Sequence, residues 1–169
     1  PHSCRNAFRA TRLAPGISHG RAITFGRVLG EALAKGVVEA KKARKLYRYA
    51  QDHMMYKDNK DIKPWHTAAA IAMYRGYGDC RNYYAFSRLL LSCAEIENMT
   101  VEKEKTNDWE NAHYWNLIKI NGAWYHFDTT PRFDVSDFFM WTDAQMDNYS
   151  SWNNNCFNRD KSLYPATPN

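Results

Sequence analysis

The chain has 169 residues, of which 44% are hydrophobic and 15% aromatic, so it is long enough for one sizeable core and too short for two ordinary domains. No run approaches the roughly 18 apolar residues of a membrane-spanning helix, and we expect no such segment. The net charge of +5 is a modest excess that more often reflects solubility than nucleic-acid binding, so we expect no nucleic-acid partner.

The positive charge is concentrated at the N-terminus. Residues 1–30 contain five arginines and no lysine or acidic residue, whereas the rest of the chain carries 18 basic and 18 acidic side chains. This segment also lacks the apolar stretch of a signal peptide. We interpret residues 1–34 as a basic arm, either a flexible extension or a processed or added end, and residues 35–169 as the folded domain.

Three segments in the first half of this domain predict helices. Between Lys35 and Tyr56, apolar residues recur at three- and four-residue spacing and charged residues fill the other face. The alanine-rich segment WHTAAAIAMYR predicts a second helix that ends at Gly76. A third helix is predicted from Cys80 onward. Its buried stripe consists of Phe86, Leu89, Leu90 and Cys93.

After Asn98 the sequence becomes typical of strands. The segments MTVEKEK, HYWNLIKI and AWYHFDTT are rich in β-branched and aromatic residues, and Asn121-Gly122 between the last two predicts a type I′ hairpin turn. The tail from Pro131 to Asn169 has no clear period, and we interpret it as loops and short helices around the core. Helices followed by strands predict an α+β domain.

The predicted hairpin brings two polar side chains together. With Asn121-Gly122 in the turn, the residue numbers of every cross-strand pair sum to 243. His113 and Asp128 then project from the same face as diagonal neighbours, about 7 to 8 Å apart. A carboxylate in that place can fix the tautomer of an imidazole and leave its other nitrogen free to act as a base.

Cys80 stands directly after a GYGD loop, at the start of the third predicted helix. A thiol at a helix N-terminus faces unpaired backbone N–H groups and the positive end of the helix dipole, which favour the thiolate. The glycines let the loop bend and let a substrate carbonyl approach the backbone. The N–H of Cys80 is therefore a predicted oxyanion-hole donor.

The segments GYGDCRNYYAFSRLLLSCAEIE and AHYWNLIKINGAWYHFDTTP resemble the transglutaminase-like superfamily, in particular its bacterial members. The resemblance covers roughly residues 40–165 and is specific at the Gly-x-Cys helix start, the His-x-Trp-Asn strand and the Trp-Tyr-His-x-Asp strand. It implies a papain-like α+β fold, with N-terminal helices, including the nucleophile helix, packed on an antiparallel sheet. It also implies that Cys80 is the nucleophile, His113 the general base and acid, and Asp128 the orienting carboxylate.

The implied activity is cysteine-dependent acyl transfer on an amide or peptide bond of a protein or peptide substrate, through a thioester and without a cofactor. The resemblance favours hydrolysis, as in a protease or amidase, and slightly favours an extracellular or cell-surface setting. A cross-linking protein-glutamine gamma-glutamyltransferase and a non-catalytic scaffold that binds peptide or glycan are the alternatives. The sequence leaves the oligomeric state and any disulfide open.

Several residues have a second interpretation. Trp65 is a weak candidate for an additional oxyanion donor, although aromatic packing against the nucleophile helix is at least as well supported. Glu95 stands where many members of the superfamily have glycine and must either avoid a positive φ or accept strain. His126 is interpreted as an ordinary hydrogen-bonded sheet histidine, and Cys93 as core.

Two other kinds of site fit the motifs less well. Cys80, His113 and Asp128 are acceptable zinc ligands, but the sequence offers no evident fourth ligand. A phosphate-binding loop at GYGD is weaker still, because an aspartate at the helix start repels anions and no Lys-Ser/Thr follows.

Overall fold

The computed structural model describes residues 39–58, 64–107, 111–135 and 137–169. The basic arm predicted for residues 1–34, and the predicted helix start at Lys35, lie outside these ranges. Within them, no helix is long and apolar enough to span a membrane.

The three predicted helices are present. Helix α1 (Glu39–His53) buries Ala43, Leu46, Tyr47 and Ala50, the face that its apolar spacing predicted. It ends at His53, before the predicted Tyr56, because strand β1 (Met55–Tyr56) pairs in parallel with strand β2 (Tyr77–Gly78).

Helix α2 (Trp65–Arg75) precedes strand β2 along the chain, and helix α3 (Cys80–Cys93) follows it. Helix α2 ends at Gly76, whose φ of 66° is the left-handed cap conformation that glycine adopts without strain. Helix α3 packs against α1, α2 and the sheet and is therefore central to the fold.

The sheet has four antiparallel strands in the order β3-β4-β5-β6. Their bounds are β3 (Asn98–Glu102), β4 (Tyr114–Ile120), β5 (Ala123–Asp128) and β6 (Phe138–Trp141). The register predicted for β4 and β5 is confirmed, since the pairs run from Ile120 opposite Ala123 to Asn116 opposite Phe127. Asn121 and Gly122 both have positive φ, as a type I′ turn requires.

The prediction for the tail was incomplete. Strand β6 was not predicted, because the segment FFMW is apolar throughout and shows no alternation. The tail also forms helix α4 (Asp143–Trp152), which begins at Thr142 with a capping box to Gln145.

The sheet is covered on both faces. One core cluster, which includes Phe86, Leu90 and Ile118, joins α1 and α3 to the sheet. A second, which includes Trp115, Phe138 and Phe157, joins the sheet to the tail. The chain therefore has the α+β, papain-like architecture that the sequence predicted, with its helices packed on an antiparallel sheet.

Candidate active site

The loop before helix α3 is held by a reciprocal cap. The side chain of Asp79 accepts hydrogen bonds from the N–H groups of Arg81 and Asn82, and the Asn82 side chain accepts one from the N–H of Asp79. The Asn82 amide also donates to the carbonyl of Ala68 in α2 over 3.0 Å. These bonds fix the position of Cys80 at the first turn of α3.

Gly78 is needed for space. A Cβ at this position would lie 2.4 Å from the Asn82 side chain, a separation that folded proteins do not show. The loop therefore contains glycine here so that the capping side chain can approach, which is a different reason from the tight bend expected from the sequence.

Cys80 lies half-buried at the start of α3. Its thiol is 3.7 Å from the carbonyl oxygen of Ala112, the residue that precedes His113. As the first residue of the helix, Cys80 has a backbone N–H with no partner inside the helix. This N–H can therefore donate a hydrogen bond to a group outside the helix, such as the oxyanion that would form from a carbonyl attacked by the thiol.

His113 and Asp128 are in direct contact, as the hairpin register predicted. His113 Nε2 lies 2.8 Å from Asp128 Oδ2, and His113 is 7% exposed. Burial disfavours the charged ring, but the charge and hydrogen bond of Asp128, helped by the neighbouring Cys80, raise the pKa of His113 to about 9. The raised pKa favours the protonated form of the ring, which lies against the buried carboxylate.

Asp128 is the most buried of the three, with 1% exposure. Its second oxygen, Oδ1, accepts a hydrogen bond from the N–H of Thr130 over 2.9 Å, and its carbonyl accepts one from the hydroxyl of Tyr47 over 2.7 Å. Burial opposes ionisation, but the charge and hydrogen bond of His113 and the Thr130 N–H outweigh it and lower the pKa of Asp128. The carboxylate stays ionised and fixed in orientation.

Two aromatic rings pack against the imidazole of His113. Trp115 stacks on His113 with ring centroids 5.6 Å apart, and Phe157 meets it edge-on at 5.2 Å. Phe157 comes from the tail, so the tail helps to position a residue of the hairpin.

Cys80 and His113 open into a cleft of about 960 Å³. Among the residues that line it are Tyr56, Cys80, Lys103, His113, Thr130, Arg132, Phe133 and Cys156. The sequence reasoning missed Tyr56, Thr130 and Arg132. Thr130 and Arg132 follow Asp128 by only two and four residues, which was the available signal.

Tyr56 reaches the cleft through the pairing of strand β1 with the nucleophile loop, where it lies opposite Gly78. Burial and the neighbouring charge of Cys80 raise the pKa of Tyr56, so that its hydroxyl is protonated and able to donate at neutral pH.

Trp65 lies elsewhere. It packs on the guanidinium of Arg88, whose Cζ atom is 4.3 Å from the ring centroid. Arg88 is eight residues along α3 from Cys80, which is roughly 12 Å at the rise of an α-helix. The structure thus gives Trp65 the packing role and does not bring it to the three candidate residues.

The remaining candidates have structural positions. Cys93 is buried in the core, and His126 is fully buried between Trp115 and Asp143. In the described ranges, no group of three or more His, Cys, Asp or Glu side chains is arranged to hold a metal ion.

Comparisons with known proteins agree with this architecture. A family model of the transglutaminase-like superfamily matches residues 29–129. No curated protein sequence matches significantly.

Solved structures are similar at low identity. One is described as a candidate cysteine protease from Cytophaga hutchinsonii, with a TM-score of 0.50 and 15% identity over 70% of this chain and 43% of that one. A TGase matches with a TM-score of 0.46 and 12% identity over 80% of this chain and 39% of that one. The present chain thus spans less than half the length of these structures.

Proposed function

Because the chain belongs to the transglutaminase-like superfamily, we propose that it is a cysteine-dependent acyl-transfer enzyme that acts on an amide or peptide bond. The observation that carries the proposal is the placement of His113, which shares a hydrogen bond with Asp128 and lines the same cleft as Cys80. This is the arrangement in which a thiolate is paired with an imidazolium whose orientation a buried carboxylate fixes.

The proposed reaction has two steps. The Cys80 thiolate attacks the carbonyl carbon, and the backbone N–H of Cys80 stabilises the oxyanion that forms. His113 then gives its proton to the leaving amine, and a thioester remains on Cys80. In the second step, His113 takes a proton from the incoming acceptor, which attacks the thioester and regenerates the thiolate.

We propose Tyr56 as the second oxyanion donor. Tyr56 lines the same cleft as Cys80, and its backbone is anchored because the N–H of Lys57 donates to the carbonyl of Gly78 over 3.0 Å. A phenolic O–H held beside the nucleophile loop supplies a hydrogen bond that strengthens as the carbonyl oxygen becomes negative.

We propose water as the acceptor. Arg132 lines the cleft, and its positive charge repels the ammonium of a lysine acceptor as it approaches the thioester. Water meets no such barrier, so hydrolysis is favoured over amine transfer.

A peptide mixture tests the reaction class before any single substrate is identified. Wild-type protein and the Cys80→Ala variant are incubated with proteome-derived peptides and a labelled primary amine, and the products are identified by mass spectrometry. New peptide termini or deamidated glutamines that require Cys80 support hydrolysis. Amine incorporation in excess of these products would replace hydrolysis by cross-linking, and identical products with both proteins would contradict an enzymatic role.

A further inference from the structure

One wall of the cleft carries side-chain polar groups that take no part in the bond-making and bond-breaking steps of the proposed reaction. Thr130 is 6% exposed, and its Oγ1 is buried without a hydrogen-bond partner. The Nε atom of Arg132 is also buried without a partner. Both residues line the same cleft as Cys80.

This wall is positively charged. Lys103, which also lines the cleft, is 8% exposed, and its backbone N–H donates to the carbonyl of His113 over 2.9 Å. No carboxylate of the described ranges lies within ion-pairing distance of Arg132, which contacts aromatic rings instead. Its guanidinium carbon is 4.9 Å from the ring centroid of Phe157.

The one acidic side chain among the described lining residues is already engaged. Both oxygens of Asp134 accept from the hydroxyl of Tyr149, at 2.9 and 2.8 Å. Asp134 is therefore held by a neutral donor and makes no ion pair with Arg132.

This combination favours an anionic ligand. A buried donor without an acceptor destabilises the protein, and a ligand that brings an acceptor recovers that loss on binding. The aromatic contact holds the guanidinium in place without using its N–H donors. A guanidinium donates two parallel hydrogen bonds to a carboxylate, and a threonine hydroxyl can donate a third.

We propose that Thr130 and Arg132 form a subsite that binds a carboxylate of the peptide substrate. This inference rests on the proposed acyl transfer and adds the substrate class, namely peptides with a carboxylate close to the bond that is attacked. The carboxylate is either the C-terminus of the peptide or the side chain of an aspartate or glutamate.

The rate of alkylation of Cys80 can report how strongly the subsite attracts a carboxylate, even though no substrate is known. Iodoacetate and iodoacetamide have nearly the same size, but iodoacetate carries a carboxylate where iodoacetamide carries a neutral amide. The ratio of their second-order rate constants at Cys80, measured by peptide mass spectrometry, reports how strongly the site attracts the carboxylate. The iodoacetamide rate alone reports the reactivity of the thiol and hence the proposed function.

The variants separate binding from packing. Arg132→Gln removes the charge, Arg132→Lys retains the charge without the planar fork, and Thr130→Val removes only the hydroxyl. Arg88→Gln is the matched control, because Arg88 is also a partly buried arginine that packs on an aromatic ring, at a distance from the cleft. Circular dichroism confirms that each variant is folded.

We expect the iodoacetate-to-iodoacetamide ratio to fall about tenfold in Arg132→Gln and severalfold in Thr130→Val, to recover partly in Arg132→Lys, and to stay unchanged in Arg88→Gln. The iodoacetamide rate should change less than about threefold in all of them. An unchanged ratio in Arg132→Gln, or an equal fall in Arg88→Gln, overturns the subsite.

Equilibrium binding provides a second test that does not need a reactive thiol. Calorimetry on the Cys80→Ser protein compares N-acetyl-Ala-Ala, N-acetyl-Ala-Glu-amide and the neutral N-acetyl-Ala-Gln-amide. Tighter binding of the first indicates a C-terminal carboxylate, and tighter binding of the second an acidic side chain; either preference should disappear in the Cys80→Ser, Arg132→Gln double variant. Equal binding of all three peptides rejects the subsite, whatever the outcome for Cys80 reactivity.

Discussion

The indole N–H of Trp115 donates a hydrogen bond to Nδ1 of His126 over 2.9 Å, and this bond fixes which nitrogen of His126 carries the proton. Since Nδ1 accepts, Nε2 must carry the hydrogen that it shares with Asp143 at 3.0 Å. Asp143 in turn binds Arg159 and the N–H of Thr167. The ring that supports His113 is thus tied to the tail of the chain through a buried histidine.

Trp115→Phe tests this support. Phenylalanine retains a ring beneath His113 but leaves Nδ1 of buried His126 without a donor. We expect a loss of about 1 to 3 kcal/mol in the free energy of unfolding, measured by urea titration. The rate of Cys80 alkylation by iodoacetamide should fall as well, because His113 loses a fixed neighbour. Unchanged stability would show that the indole N–H adds nothing to the fold.

The two buried histidines predict opposite effects of pH on stability. Burial, although opposed by Asp143, lowers the pKa of His126, so the unfolded chain binds this proton first and stability falls as the pH drops below about 6.5. The pKa of His113 is raised to about 9, so its contribution is complete below about 6.5 and is lost as the pH rises toward 9.

Stability should therefore be greatest near pH 6.5, as measured by urea unfolding across the pH range. His113→Gln should remove the decrease on the alkaline side and leave the acidic side in place. A wild-type stability that rises steadily from pH 6.5 to 9 would be inconsistent with an imidazolium at His113.

Alanine substitutions at Gly78 and Gly122 should destabilise the protein to different extents. An alanine at Gly78 meets the Asn82 side chain at 2.4 Å, whereas an alanine at Gly122 meets nothing within 4 Å and only has to adopt a φ of 84°. Gly122→Ala should cost about 1 kcal/mol in the free energy of unfolding. Gly78→Ala should cost more, because the cap at Asp79 is displaced.

Only Gly78→Ala should also slow the alkylation of Cys80, since only that variant moves the start of α3. If both variants had the same stability and the same thiol reactivity, the cap would not control the position of the nucleophile.

Glu95 lies in a backbone conformation that favours glycine. It has φ of 58° at the end of α3, and the N–H of Ile96 donates to the carbonyl of Leu91 over 3.0 Å, as in a Schellman motif. Glu95→Gly should therefore raise the free energy of unfolding by about 1 kcal/mol without a change in Cys80 reactivity. Glu95→Ala, which keeps a Cβ, serves as the control and should not stabilise the protein.

Tyr56 and Trp65 can be distinguished by comparing two reactions. Tyr56→Phe should lower the turnover of any peptide found in the screen by about 100-fold, because an oxyanion-hole donor is lost. It should leave iodoacetamide alkylation nearly unchanged, because that reaction forms no oxyanion. Trp65→Phe should affect neither rate; a selective fall in turnover there would restore Trp65 as the donor.

The sequence predicted best what short segments determine. The Asn121-Gly122 turn sets the register of its hairpin by itself, and this register brings His113 to Asp128. The start of α3 at Cys80 likewise depends on Asp79 and Asn82, which are its immediate neighbours.

What the sequence did not predict depends on distant packing. Strand β6 exists because Phe138 and Phe139 pair with the end of β5, which the local pattern of FFMW cannot show. The position of Trp65 over Arg88 depends on how α2 packs on α3. The cleft wall at Arg132 likewise requires the tail to fold back, because Phe157 supplies the ring on which the guanidinium lies.

The separation of the candidate residues along the chain has a consequence for how the protein folds. His113 and Asp128 are 15 residues apart within one hairpin, whereas Cys80 joins them only when α3 docks on the sheet. Local hairpins close within microseconds, and contacts between distant segments form later. The histidine–carboxylate pair can thus assemble within the hairpin, whereas the thiol meets its imidazole only after a contact between distant segments has formed. The unfinished chain therefore carries an unactivated cysteine during the period when its own peptide bonds are most exposed.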